Sequence, residues 1–129
     1  MEPHKRPYNT LSAGFVMRND KPLMTVTLMG GDVQAQGIAQ VLVNILDLGA
    51  NVQAASDMAR FRHTQVPNNL MMESQLFKLV GEQLQEMGHK VQSMNGAPMG
   101  GFQAIMVSPE TGVYRAGSDH RKDGQAVGY

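Results

Sequence analysis

The apolar positions near the start of the chain form two β-rich runs, residues 13–18 and 23–29, and the four residues between them, Asn19, Asp20, Lys21 and Pro22, are turn formers. This predicts a β-hairpin. Ahead of it, "EPHKRP" reads as an extended polar lead, because Pro3 and Pro7 bias the residues before them away from helix. Val33, Ile38, Val41, Leu42, Ile45 and Leu46 then keep helical spacing, and Gly49 stands just past the end as a glycine C′ would. A shorter helix over about 52–60 follows Asn51 as N-cap, and 70–73 reads as a short strand. From Gln75, the positions Leu76, Leu79, Val80, Leu84 and Met87 define another helix, capped by Ser74 and stopped at Gly88. "HKVQSM", "GFQAIMV" and "GVYRAG" read as strands, the last two joined through residues 108–112.

The order β-β-α-α-β-α-β-β-β predicts an α+β fold, a mostly antiparallel sheet with helices on one face, in a single domain over residues 1–129. A sheet covered on one side leaves its other side wanting a partner layer.

Composition narrows the chemistry. Eleven basic residues balance eleven acidic ones, so no long-range field draws the chain to nucleic acid or to an anionic membrane. Cysteine is absent, which removes disulfides, thiolate metal sites and cysteine nucleophiles together. The N-terminal "MEPHKRPYNT" offers charge and proline where an export signal needs an apolar stretch, and this carries the expectation of a cytoplasmic protein, or a periplasmic or secreted one if a longer precursor bears a signal. The eleven methionines are scattered rather than striped, as adaptable core filler would be.

"LMGGDVQAQG", residues 28–37, sets Gly30 and Gly31 at the junction of a strand and a helix, where first-turn amides lack internal partners and the helix dipole is positive. Such a junction binds negative oxygen. Two outward-pointing glycine amides are the arrangement that stabilises an oxyanion in acyl transfer, and they would serve phosphate equally well. The spacing matches neither G-x-G-x-x-G nor a phosphate loop. The structural alternative is a sharp turn with Asp32 as N-cap, without a full capping box because Ala35 stands three places on.

"KRPYNTL", "MGGDVQAQG", "DLGANVQAA" with "ARFRH", "GHKV", "GGFQAI" and the terminal "GSDHRKDGQAVGY" occur in the order and spacing that resemble the γ-glutamyltransferases (γ-glutamyl transpeptidases) of the N-terminal-nucleophile hydrolase superfamily. The resemblance runs over essentially all of the chain. It implies part of an αββα sandwich and the C-terminal part of a small subunit made by self-cleavage of a precursor. It implies transfer of a γ-glutamyl group, from donors such as glutathione to an amine or to water, through a γ-glutamyl-enzyme intermediate. It also implies that the family's oxyanion-hole glycines fall on Gly30 and Gly31.

The same resemblance places the nucleophilic threonine and the acidic residue that grips the substrate amino group upstream of Met1, and the arginine that holds the substrate carboxylate in the large subunit. An N-terminal nucleophile uses its own α-amino group as base, and Thr10 lies too far along the chain for that. The expectation is a chain inactive alone, whose partners are the upstream segment and the large subunit. After "KRP" the well-studied members carry a leucine and two serines that bind the substrate carboxylate, and the matching positions here are Tyr8, Asn9 and Thr10. Asn9 and Thr10 can still donate hydrogen bonds to a carboxylate. In the terminal motif His120 stands where proline is usual, which reads as a loop variation.

The remaining candidates carry less. His4, His63, His89 and His120 make no ligand pair of metal-site spacing, and no metal or other cofactor is expected. Arg60 and Arg62 around Phe61 suggest a structural ion pair rather than a nucleic-acid patch, given the neutral charge. Gly100 and Gly101 fit either a cleft lining or a tight turn, and Glu110, Asp119 and Asp123 sit in turns where solvated carboxylates are the norm. A rival reading from another class is a non-catalytic module that binds a small anion at Gly30 and Gly31, and whose uncovered sheet face favours a homo-oligomer.

Overall fold

A computed structural model describes residues 2–129; Met1, with the amino terminus discussed above, lies outside the described residues. Among the described residues seven strands form two sheets, and three α-helices pack on them. The larger sheet is antiparallel and contains β1 (Ala13–Arg18), β2 (Lys21–Met29), β6 (Gly101–Val107) and β7 (Tyr114–Ser118), in the order β1-β2-β6-β7. The smaller contains β3 (Phe61–Thr64), β4 (Asn69–Glu73) and β5 (Val91–Met94), with β3 and β4 antiparallel and β4 and β5 parallel. The helices are α1 (Gln34–Leu46), α2 (Val52–Asp57) and α3 (Ser74–Glu86). The fold is α+β, as expected, with the strands divided between two sheets.

The β1–β2 hairpin turns tighter than four residues. Arg18 already pairs with Lys21, and Asn19 and Asp20 alone make the loop with positive φ at 51° and 59°, the requirement of a two-residue type I′ turn. Pro22 therefore lies within β2. It is tolerated there because β6 pairs with β2 only from Met24 onward, beside a bulge between Val16 and Met17.

Side-chain alternation then sorts the larger sheet into two faces. Met24, Val26 and Leu28 pair with Met106, Ala104 and Phe102 on one face, and α1 and α2 cover it with Val41, Ile45, Val52 and Ala55. α1 approaches closely because Gly37 faces Leu28; a methyl group there would stand 2.5 Å from Leu28 Cδ1. The other face carries Phe15, Thr25 and Ile105 in one row, with Phe15 67% and Ile105 47% exposed.

α3 crosses between the parallel strands β4 and β5 and packs on both. It begins at Ser74 itself rather than after it. Glu73 occupies the N-cap position without a side-chain cap bond, because its carboxylate is engaged elsewhere. α2 starts as expected, with Asn51 Oδ1 accepting from Ala54 N at 2.8 Å, but ends three residues early. Met58 turns extended (ψ 141°) and sends Arg60 inward.

β3 was not expected. Its backbone is paired on one side by β4 and on the other by glutamine side chains of α1: Gln36 bonds both N–H and C=O of His63, and Gln40 both of Phe61. No helix among the described residues is long and apolar enough to cross a membrane.

Candidate functional site

β2 ends at Met29, and the chain turns through Gly30 (φ 143°) and Gly31 (φ 63°) into a single 3-10 turn, Gly31–Val33, that leads directly into α1. Both glycines hold backbone angles that a side chain would strain. Outside strand-ladder and helix bonds, neither glycine N–H donates a backbone hydrogen bond among the described residues. The two amides have no acceptor there and stand one 3-10 turn ahead of the thirteen-residue α1, at the end where the backbone dipole favours negative charge. Gly30 is crowded behind: a methyl group on it would stand 2.6 Å from Val33 Cγ1 and 3.1 Å from Gly100 Cα. Gly31 has nothing within 4 Å on that side.

The residues 8–10 lie beside this turn. Tyr8 Oη donates to Asp32 Oδ1 at 2.7 Å, and Gln34 Nε2 donates to Thr10 O at 2.6 Å. The four expected site residues, Gly30, Gly31, Asn9 and Thr10, are therefore brought into one neighbourhood by contacts that the sequence did not foretell. Asn9 Oδ1 accepts from Leu11 N at 3.0 Å, which leaves its amide NH2 as the outward donor, and Thr10 is exposed. Asp32 does not cap α1. It sits inside the 3-10 turn with no cap bond and accepts from Tyr8 instead. Donating to Asp32 also holds the Tyr8 hydroxyl on its proton and raises its pKa above the ordinary tyrosine value.

Behind the glycines lies a cluster of charge that the sequence reading missed. Asp119, expected to be solvated in a turn, is 1% exposed. Its Oδ2 takes Arg60 Nη2 at 2.6 Å and Phe102 N at 2.8 Å, and its Oδ1 takes Arg121 N at 3.0 Å and Arg121 Nη1 at 3.1 Å. Burial pushes the Asp119 carboxyl up, but the Phe102 and Arg121 amides and the Arg60 guanidinium together hold it below the usual carboxylate range. Arg121 forks onto Glu73 at 2.7 and 2.6 Å and caps the carbonyls of Ser56 and Met58. Arg60 pairs as a structural ion pair, in line with expectation. No local sequence signal marks the cluster, since Arg60 and Asp119 are far apart in the chain.

His120 Nδ1 lies 2.9 Å from Asp57 Oδ1, and His63 Nε2 lies 2.7 Å from Asn68 Oδ1. Among the described residues no group of three or more His, Asp or Glu side chains is placed to hold a metal ion.

The two-sheet α+β arrangement is shared with solved γ-glutamyltranspeptidases, which are N-terminal-nucleophile hydrolases. The backbone superposes on a mutant of the Helicobacter pylori γ-glutamyltranspeptidase with a TM-score of 0.83 at 30% identity, covering 95% of this chain and 66% of that one. The pattern described as Gamma-glutamyltranspeptidase matches residues 1–129, and the chain belongs to that family. Also similar is a cephalosporin acylase from Bacillus halodurans, at 37% identity and TM-score 0.86 over 97% of this chain and 23% of that one. A glutathione hydrolase proenzyme of Escherichia coli is 31% identical over 127 residues, 98% of this chain. The chain spans 22% of that protein's length.

Proposed function

We propose that this chain forms the oxyanion and carboxylate-binding side of a site that transfers or hydrolyses γ-glutamyl groups of glutathione-type amides. The observation that supports it most directly is the Gly30–Gly31 turn: consecutive positive-φ glycines with free amides, beside the Asn9 and Thr10 donors. A threonine hydroxyl from the family's upstream segment attacks the γ-carbonyl, and the carbonyl oxygen takes up charge as it becomes tetrahedral. The Gly30 and Gly31 N–H groups receive that charge, and one such donor is worth about 3 kcal/mol in the transition state. Collapse expels the amine and leaves a γ-glutamyl ester, which water or a second amine then cleaves, returning the hydroxyl. The Asn9 amide and Thr10 hydroxyl donate to the substrate carboxylate.

On this reading the chain needs two partners, the upstream small-subunit segment and the large subunit. The exposed row of Phe15, Thr25 and Ile105 is the face on which the second sheet of an αββα sandwich packs. The test is to combine this chain with a polypeptide carrying the upstream family segments and to follow release from a chromogenic γ-glutamyl anilide. Release from the mixture and none from the chain alone is the expected result.

The same exposed face favours a second reading, a self-associating module that binds a small carboxylate or anion at the glycine turn without catalysis. That reading calls for a concentration-dependent dimer in sedimentation and a folded mixture that releases no anilide.

A further inference from the structure

The glycine turn is backed by the segment that enters β6. Gly100 is buried with φ at 81°, and a methyl group on it would meet the Leu28 side chain and stand 2.6 Å from Met29 O. From the other side, a methyl group on Gly30 would stand 3.1 Å from Gly100 Cα. The two backbones thus touch without any side chain between them, and a shift of residues 99–102 carries straight into the turn.

Residues 99–102 are in turn gripped from behind. Arg60 Nη1 donates to Met99 O at 3.2 Å and to Gly100 O at 3.5 Å, while Nη2 binds Ser56 O at 2.8 Å and Asp119 Oδ2 at 2.6 Å. That same Asp119 oxygen accepts from Phe102 N. One guanidinium and one carboxylate therefore hold the backbone on both sides of Gly100, anchored to the end of α2. The grip is sealed, with Arg60 and Asp119 both 1% exposed, and it leaves Arg60 Nε and Ser56 Oγ without hydrogen-bond partners. Buried unpaired donors are costly, and a well-packed apolar pair would fill the same space without them.

Resting on the reading of Gly30 and Gly31 as oxyanion donors, we propose that Arg60 and Asp119 are positioning residues for those amides, acting through Gly100. They touch no substrate. The fork of Arg60 fixes Gly100, and Gly100 fixes where the Gly30 amide points.

Two variants test this on the chain itself. Arg60→Lys keeps the charge but loses the fork, and the double variant Arg60→Met with Asp119→Leu replaces the pair by apolar side chains, which keeps the test open if a lone charge prevents folding. Amide resonances of Gly30 and Gly31 are expected to shift, while those of α3 stay in place. Unmoved glycine amides in a folded variant overturn the inference. In the assembled enzyme the same variants are expected to lower kcat by about tenfold to a hundredfold with KM within about twofold, as for a misplaced catalytic group. Displaced amides with kcat unchanged would leave the mechanical coupling standing and overturn the oxyanion role of the glycines, and with it the catalytic part of this inference.

Discussion

The carboxamide of Gln40 closes on the backbone of Phe61 with two hydrogen bonds, Nε2 to Phe61 O and Phe61 N to Oε1, both 2.9 Å. One helical turn earlier Gln36 does the same to His63, at 2.9 and 2.8 Å. Gln53 of α2 repeats the arrangement on Ser118 at the end of β7, at 3.0 Å in both directions. A glutamine side chain presents the donor and acceptor of a peptide unit. Three of them stand in for missing neighbour strands and occupy edges that would otherwise be open to pairing.

Gln40→Leu should therefore loosen β3 and expose its edge. The two lost bonds lie near the surface, where water replaces them in part, so the expected cost is about 1 kcal/mol in urea unfolding. Combining Gln36→Leu with it should go further, giving higher oligomers on size exclusion as concentration rises. A double variant that stays as monodisperse as the parent would show that these side chains do not guard the edge.

Asp119 should govern the acid limb of stability. Its carboxyl is held below the ordinary range in the folded chain, so the stabilisation it brings is complete above about pH 4 and is lost as pH falls through the folded-state value. At pH 7, Asp119→Ala leaves the buried Arg60 without its counter-charge and should cost about 3–5 kcal/mol. The difference between parent and variant should shrink as urea midpoints are measured from pH 5 down towards pH 2. A gap that stays constant over that range would mean that Asp119 is not ionised in the folded state.

Tyr8 donates to Asp32 in a second, exposed pair, and there the phenol's pKa is raised. The neutral phenol donates to the carboxylate, and both that bond and the negative charge resist loss of the proton. Asp32→Asn should bring the Tyr8 ionisation down towards about 10, read from the ring carbon shift of Tyr8 in a pH titration. Little change in thermal stability is expected, because the pair is on the surface.

These contacts mark the boundary of what was legible. The run 101–107 was readable as a strand because its apolar content and its glycine and proline flanks are local properties, and β6 begins and ends there. The Gly30–Gly31 turn was readable for the same reason, since a β-rich run ends on one side of it and a helical pattern begins on the other. β3 was not, since "FRHT" has no apolar alternation and is held by Gln36 and Gln40 from a helix distant in sequence. The early end of α2 was hidden likewise, because Arg60 is pulled inward by Asp119, 59 residues away. Helical periodicity also overstated the buried face of α3, where Leu79 is 79% exposed.

The two glycines of the turn should respond differently to a single methyl group. At Gly31 (φ 63°) a Cβ meets open space, so Gly31→Ala pays only for the left-handed backbone, about 1–2 kcal/mol. At Gly30 (φ 143°, ψ 12°) the backbone lies outside even the left-handed region open to alanine, and the methyl also runs into Val33 Cγ1 at 2.6 Å and Gly100 Cα at 3.1 Å. Gly100 cannot retreat without disturbing its carbonyl bond to Arg60 and the Phe102 amide on Asp119. Gly30→Ala should thus cost more than Gly31→Ala in urea unfolding, and the excess should fall in an Arg60→Met, Asp119→Leu background where the backing segment can yield. On the proposed function, Gly30→Ala displaces the oxyanion amide without removing it, and kcat for anilide release by the assembled protein should fall by up to about 10²-fold, the scale of one oxyanion donor. Equal costs for the two substitutions in both backgrounds would show that Gly100 gives way freely and that the turn is not braced from behind.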